Sequence, residues 1–135
     1  MTKERQIVVP FSELIDMLSI DQIKEILKQN KDISHEMKMI EHDLDLFIND
    51  NEMKLTSRSI RLIIALSQIN LHIWMNKDKM TNTDNKDEYC KYLKFSHQLN
   101  GIRNQIKNIL NRENGFNETK TNINIDGLEG WNISI

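Results

Sequence analysis

The sequence predicts a mainly α-helical bundle with two long central antiparallel helices, short N-terminal helices and a small β element from the termini. Three observations lead there. Apolar residues recur at helical spacing through most of the chain, as in Met37, Ile40, Leu44, Phe47 and Ile48. Two long periodic stretches, "TSRSIRLIIALSQINLHIWMNKDKM" and "EYCKYLKFSHQLNGIRNQIKNILNREN", flank a turn-rich "TNTDNKD". Only the tail "TNINIDGLEGWNISI" alternates polar and apolar residues, and it contains Asp-Gly. At 135 residues the chain has the length of one domain. It divides into a strand-like segment over 1–10, a helical bundle over 11–115 and an extended or hairpin tail over 116–135.

The elements follow in order. "RQIVVPF" is β-prone and holds the only proline, Pro10. "FSELIDML" is a short helix with Ser12 as its candidate cap. "LSIDQIKEILKQN" reads as a separately capped helix: Ser19 as N-cap, Gln22 as its capping-box partner, Leu18 and Ile23 as a hydrophobic staple. "ISHEMKMIEHDLDLFIND" is the next helix, ended by polar "NDNEMK". Thr56 or Ser57 caps the first long helix, and Gly115 provides a left-handed cap to the second. The 16 asparagines and single alanine read as codon bias, and leave the helices dependent on packing more than on propensity.

Composition narrows the function. A net charge of −2 excludes the global basic field of a nucleic-acid or anionic-membrane binder. The longest apolar runs, such as "LIIAL", are too short to span a bilayer, and the chain starts without an apolar signal segment. The single Cys90 forms no intramolecular disulfide, so a cytoplasmic setting is expected. Glycine-rich phosphate loops, "GxSxG" and CxxC are absent, so the expectation leans against an enzyme. No cofactor is called for. Glu41 and Asp45 sit one turn apart but on a solvated edge, and His35 and His42 are too far apart for zinc, so no metal is expected. His35, Met39, His42 and Leu46 form a weaker apolar face that is a candidate dimer or partner seam.

One polar constellation stands out. On a helical wheel of 58–80, Arg58, Arg61, Gln68, His72, Asn76 and Lys79 share a narrow side, and nearly everything else is apolar. That makes this helix the expected centre of the bundle. Asn70, Trp74 and Asp78 fall inside the apolar arc, where unpaired polar groups are costly. The next helix carries a matching stripe of Asn100, Arg103, Asn104, Lys107 and Asn111 beside the apolar Tyr92, Phe95, Leu99, Ile102, Ile106 and Leu110. Two readings follow. In one, Arg103 or Lys107 neutralises Asp78 and the asparagines complete a structural network. In the other, Arg103 and Lys107 receive a phosphate or carboxylate, Trp74 stacks, and Asn70 and Asn100 orient the ligand.

The chain also resembles an uncharacterised family of small helical bacterial and phage proteins, a domain of unknown function often encoded near glycosyltransferases and surface-polysaccharide genes. The matching segments run in order over roughly 7–120: Glu13, Leu14, Ile15, Asp16, Leu18, Ser19, Ile20, Ile23 and Lys24; Asn70, Trp74 and Asp78; Asn100, Arg103, Ile106, Lys107 and Asn111; then Glu118 and Lys120. Two positions depart: the family's acid before Asp78 is Lys77 here, and its later arginine is Thr81. The resemblance implies that the constellation is shared and adds Glu13, Asp16, Lys24, Glu118 and Lys120 to it. The expected function is a binding or interaction module that self-associates or binds a partner protein, with the resemblance adding an accessory role in surface-glycan synthesis. The alternative is a site for an anionic small molecule such as a sugar nucleotide.

Overall fold

A computed structural model describes residues 9–28 and 32–116. Four α-helices make up a bundle: α1 (Phe11–Lys28), α2 (Ile33–Asp50), α3 (Ser57–Asn82) and α4 (Lys86–Glu113). There is no strand among the described residues. The β element expected from the termini, and with it Glu118 and Lys120, lies outside them.

The two long helices pair antiparallel through a connection of only Thr83–Asn85, shorter than the seven-residue loop read from composition. Asn85 makes this possible. Its Oδ1 accepts from the backbone N–H of Asp87 (2.9 Å) and Glu88 (3.1 Å), which starts α4 early. Thr56 caps α3 as expected, accepting from the N–H of Ser59.

The N-terminal segment departs from expectation. α1 is one continuous helix, not two. Ser19 is no N-cap, because its hydroxyl accepts a hydrogen bond from Asn70 Nδ2 across the bundle. With no side-chain oxygen competing for the next amides, the backbone runs on. Ser12 is not the cap either. It lies in the first turn, and its own buried N–H donates to Asn111 Oδ1 at 3.1 Å. The start of α1 is therefore capped by α4, 99 residues away in sequence.

α1 touches each of the other three helices. It, not α3, is the central element. The core consists of Phe11 and Leu14 of α1, Ile40 and Leu44 of α2, Leu62, Leu66 and Ile69 of α3, and Leu99, Ile102, Ile106 and Leu110 of α4. α3 is apolar around most of its circumference but is covered on one side only: Ile60, Ile64, Leu71 and Met75 remain exposed.

Two helix ends share one device. After α4, the N–H of Phe116 donates to Asn111 O (2.7 Å) and that of Gly115 to Arg112 O (3.2 Å), with Gly115 at φ +79°. After α2, Met53 N–H donates to Ile48 O (2.9 Å) and Glu52 N–H to Asn49 O (3.3 Å), with Glu52 at φ +48°. Both are Schellman motifs, and each turns an apolar residue, Phe116 or Met53, back onto the core. Phe116 meets Phe11 at 5.8 Å and Phe47 at 5.7 Å between ring centroids, tying the ends of α1, α2 and α4 together. Glutamate is ill suited to the left-handed region, whereas glycine is not. Glu52→Gly is expected to raise unfolding stability by about 0.5–1 kcal/mol. Gly115→Ala, where an added Cβ would meet nothing within 4 Å, is expected to lower it by about 1 kcal/mol through backbone strain alone. Urea denaturation of the two variants checks both signs.

Candidate functional site

Glu13, Asp16 and Ser19 recur every third residue of α1 and so lie along one edge of it. That edge faces the α3–α4 pair. Asp16 is 3 % exposed and divides its two oxygens between two helices. Its Oδ1 accepts from Asn70 Nδ2 of α3 at 2.7 Å, and its Oδ2 from Lys107 Nζ of α4 at 3.4 Å. Lys107 also pairs closely with Glu13, and Asn70 Nδ2 donates its second hydrogen bond to Ser19 Oγ at 3.1 Å. A buried carboxylate is tolerated only when paired and hydrogen-bonded. Here an amide and an ammonium supply both.

Arg103 stands one turn from Lys107 on α4, and its Nε is buried without a hydrogen-bond partner among the described residues. The same is true of Asn70 Oδ1. The antiparallel register, set by Arg58–Glu113 at one end and Asn76–Ser96 nearer the other, puts Asn70 level with the turn that contains Ile102 and Arg103. One donor and one acceptor in this layer are thus left for a water or a small polar atom.

The constellation read from sequence is partly assembled. Glu13, Asp16, Asn70 and Lys107 come together, with Arg103 beside them. Asp78 does not join. It is exposed, because successive four-residue steps drift about 40° around a helix, so Asp78 has rotated about 80° from Asn70. The register also sets it well beyond the level of Arg103 and Lys107, so neither neutralises it. Trp74 is half-buried between these two positions, and Asn100 is half-buried on α4. Asn111 serves the start of α1. Lys24 lies two turns beyond Asp16, beside Asp21. Asn76, placed by the wheel on the solvent side, is instead buried and donates to Tyr92 O and Ser96 Oγ, both at 2.8 Å.

Sequence reasoning missed Asp21. It is 3 % exposed on α1, with Oδ2 lacking a hydrogen-bond partner among the described residues. Burial raises its pKa above the ordinary 3.8; the charge of Glu36 on α2 and a side-chain hydrogen bond with it act in the same direction, against a smaller opposing effect of Lys24. A hydrogen bond between two carboxyl groups requires a proton on one of them. The only sequence signal is Asp21 beside Ile20 and Ile23, an acid at the margin of an apolar face.

Among the described residues, no group of three or more His, Cys, Asp or Glu side chains is placed to hold a metal ion. No described helix is long and apolar enough to cross a membrane. Comparison with known proteins returns no match: neither a family model, a curated protein nor a solved structure matches this chain.

Two measurements test the junction. Asp16→Ala leaves Lys107 and Asn70 without their buried partner and is expected to cost about 3–5 kcal/mol of unfolding free energy. Glu13→Ala, whose side chain is 43 % exposed, is expected to cost no more than about 1 kcal/mol. Chemical denaturation should reproduce that inequality. For Asp21, a raised folded pKa means that the folded state holds the proton more tightly. Its contribution to stability is then fully present below pH 3.8 and is lost as pH rises through the folded-state value. Asp21→Asn should therefore be more stable than the wild type at neutral pH, with the gap closing in acid, as read by melting temperature against pH.

Proposed function

We propose that this protein is a non-enzymatic interaction module that associates with a second copy of itself through the apolar groove between α1 and α3. The polar residues best suited to chemistry bond one another in the junction. Lys107, the cation that an anionic ligand would need there, is already held by two carboxylates. What the surface offers instead is apolar.

The observation that carries the reading is the groove itself. It encloses about 490 Å³ and is lined by Ile15, Leu18, Ile26, Leu27, Ile63 and Leu71, among others. Ile26 is 68 % exposed and Leu27 53 %. Contiguous apolar surface of this kind marks interaction sites. Along its rim α3 presents Ile60, Ile64, Ser67, Leu71 and Met75, spaced by four, three, four and four residues, close to the seam of a helical pair. Ser67 does not interrupt that seam, because its hydroxyl donates to Ile64 O at 2.7 Å and needs no further partner on burial.

A second copy fits because one face carries both halves of the contact. A two-fold axis would place the α3 ridge of each protomer in the α1–α3 groove of the other, which is the self-complementarity an isologous dimer requires. The α2 stripe of Met39 and Leu46 is also exposed. It is interrupted by the exposed His35 and His42, so it makes the poorer seat. The glycan-related role that the resemblance implies would be exercised by this same binding face.

Light scattering across a concentration series is expected to give a dimer, with a melting temperature that rises with protein concentration. Ile26→Asp and Ile64→Asp alter exposed positions and should each yield a folded monomer. A strict monomer at every concentration overturns the reading.

A further inference from the structure

We infer that Asp21 and Glu36 form an acid-closed latch, which holds the start of α2 on the second half of α1 while the pair shares a proton and releases it when both carboxyls ionise. Asp21 is not placed like a surface acid. It lies two turns beyond Leu14 on the same stripe of α1, and both are buried. The other buried carboxylate of this helix, Asp16, has a hydrogen-bond donor for each oxygen. Asp21 has none for Oδ2 among the described residues, and its side-chain partner is a second carboxyl, Glu36 of α2. Two carboxyls in contact hold together with one proton between them and repel without it.

The packing makes the response local. α1 is the only described helix whose backbone approaches that of α2. The two ends of this helix pair are held differently. At one end Phe47 of α2 meets Phe11 at 6.3 Å and Phe116 at 5.7 Å between ring centroids. At the other, Ile23 of α1 and Ile33 and Met37 of α2 are buried but stand outside the contiguous core. Satellite clusters of this kind open at lower free energy than a core does. Asp21 and Glu36 belong to this weaker end, beside Ile23 and Met37 in sequence.

The surrounding charges do not offset ionisation of the pair. Lys24 of α1 opposes burial and the charge of Glu36, with a smaller effect than either. Glu25, one turn on, accepts from Gln22 and is exposed. On α2, Asp32 and His35 are exposed, and no charged group of α3 or α4 acts on Asp21 among the described residues. The closed form thus holds the proton more tightly than the open one, so opening becomes easier as pH rises. It uncovers Ile33, Met37 and Ile23, and Ile23 also lines the groove between α1 and α3.

Hydrogen exchange read by mass spectrometry on the full chain, in mildly acid and in mildly alkaline buffer and corrected for intrinsic rates, tests this. Amide protection over 33–40 is expected to fall by roughly tenfold or more as pH rises, while protection over 99–110 holds. None of 33–40 lines the α1–α3 groove, so this readout does not depend on the oligomeric state. Asp21→Asn removes the ionisable group and should keep the acid level of protection at the higher pH. Glu36→Gln, at an exposed position, replaces the second acid by an amide donor and should reduce the loss. The inference is overturned if the start of α2 keeps its protection as pH rises, if all helices lose protection together, or if either variant loses it as fully as the wild type does.

Discussion

The carboxylate of Asp16 holds the bundle in register. It is buried, so its two oxygens must be satisfied, and the groups that satisfy them come from different helices: Asn70 of α3 and Lys107 of α4. Leucine and isoleucine contacts tolerate small slides and rotations, because hydrophobic packing is non-directional and repacks at modest cost. A buried charge with two directional partners does not. It sets both the rotation of α1 about its axis and its position along the α3–α4 pair. With α1 placed, Leu14 points into the core, Asn111 reaches the N–H of Ser12, and Phe11 meets Phe116.

Asparagine does much of the remaining connecting. Asn51, Asn70, Asn76, Asn85, Asn111 and Asn114, six of the 16 in the chain, make side-chain hydrogen bonds to helix ends or across helices. Asn111 acts twice at one corner: its side chain caps α1 while its backbone oxygen accepts from Phe116. Asn114 bridges Leu110 O and the buried Ser59 hydroxyl at the same end. A composition poor for isolated helices becomes serviceable in a bundle, since a residue that competes with the helix backbone is well suited to cap and to cross-link. Codon bias accounts for the abundance of asparagine, and the packing accounts for where it is used.

α3 carries an outward face and an inward one. Its first four turns present an apolar ridge beside α1. The polar junction at Asn70 is turned inward. The internal network and the outward ridge therefore occupy different sectors of one helix, and substitutions in one leave the side-chain contacts of the other in place.

The sequence by itself determined the helical class, the pairing of the two long helices, a cap at Thr56 or Ser57 and another at Gly115, and the apolar stripe from Leu99 to Leu110. These depend on local geometry: a period, a side-chain oxygen three residues from an amide, a glycine at positive φ. It also marked Asn70 and Lys107 as polar groups on otherwise buried faces. Their true partner, Asp16, was reached only through the resemblance, because nothing local to α1 distinguishes it from a surface acid. Only the tertiary structure decided that Ser19 continues a helix instead of starting one, that Asn111 caps a helix 99 residues away, that Asn76 is inside and Asp78 outside, and that Asp21 meets Glu36. Each of these turns on which distant group arrives within hydrogen-bonding distance. Helical periodicity gives the direction of a side chain from its own axis, but not the element that stands opposite it.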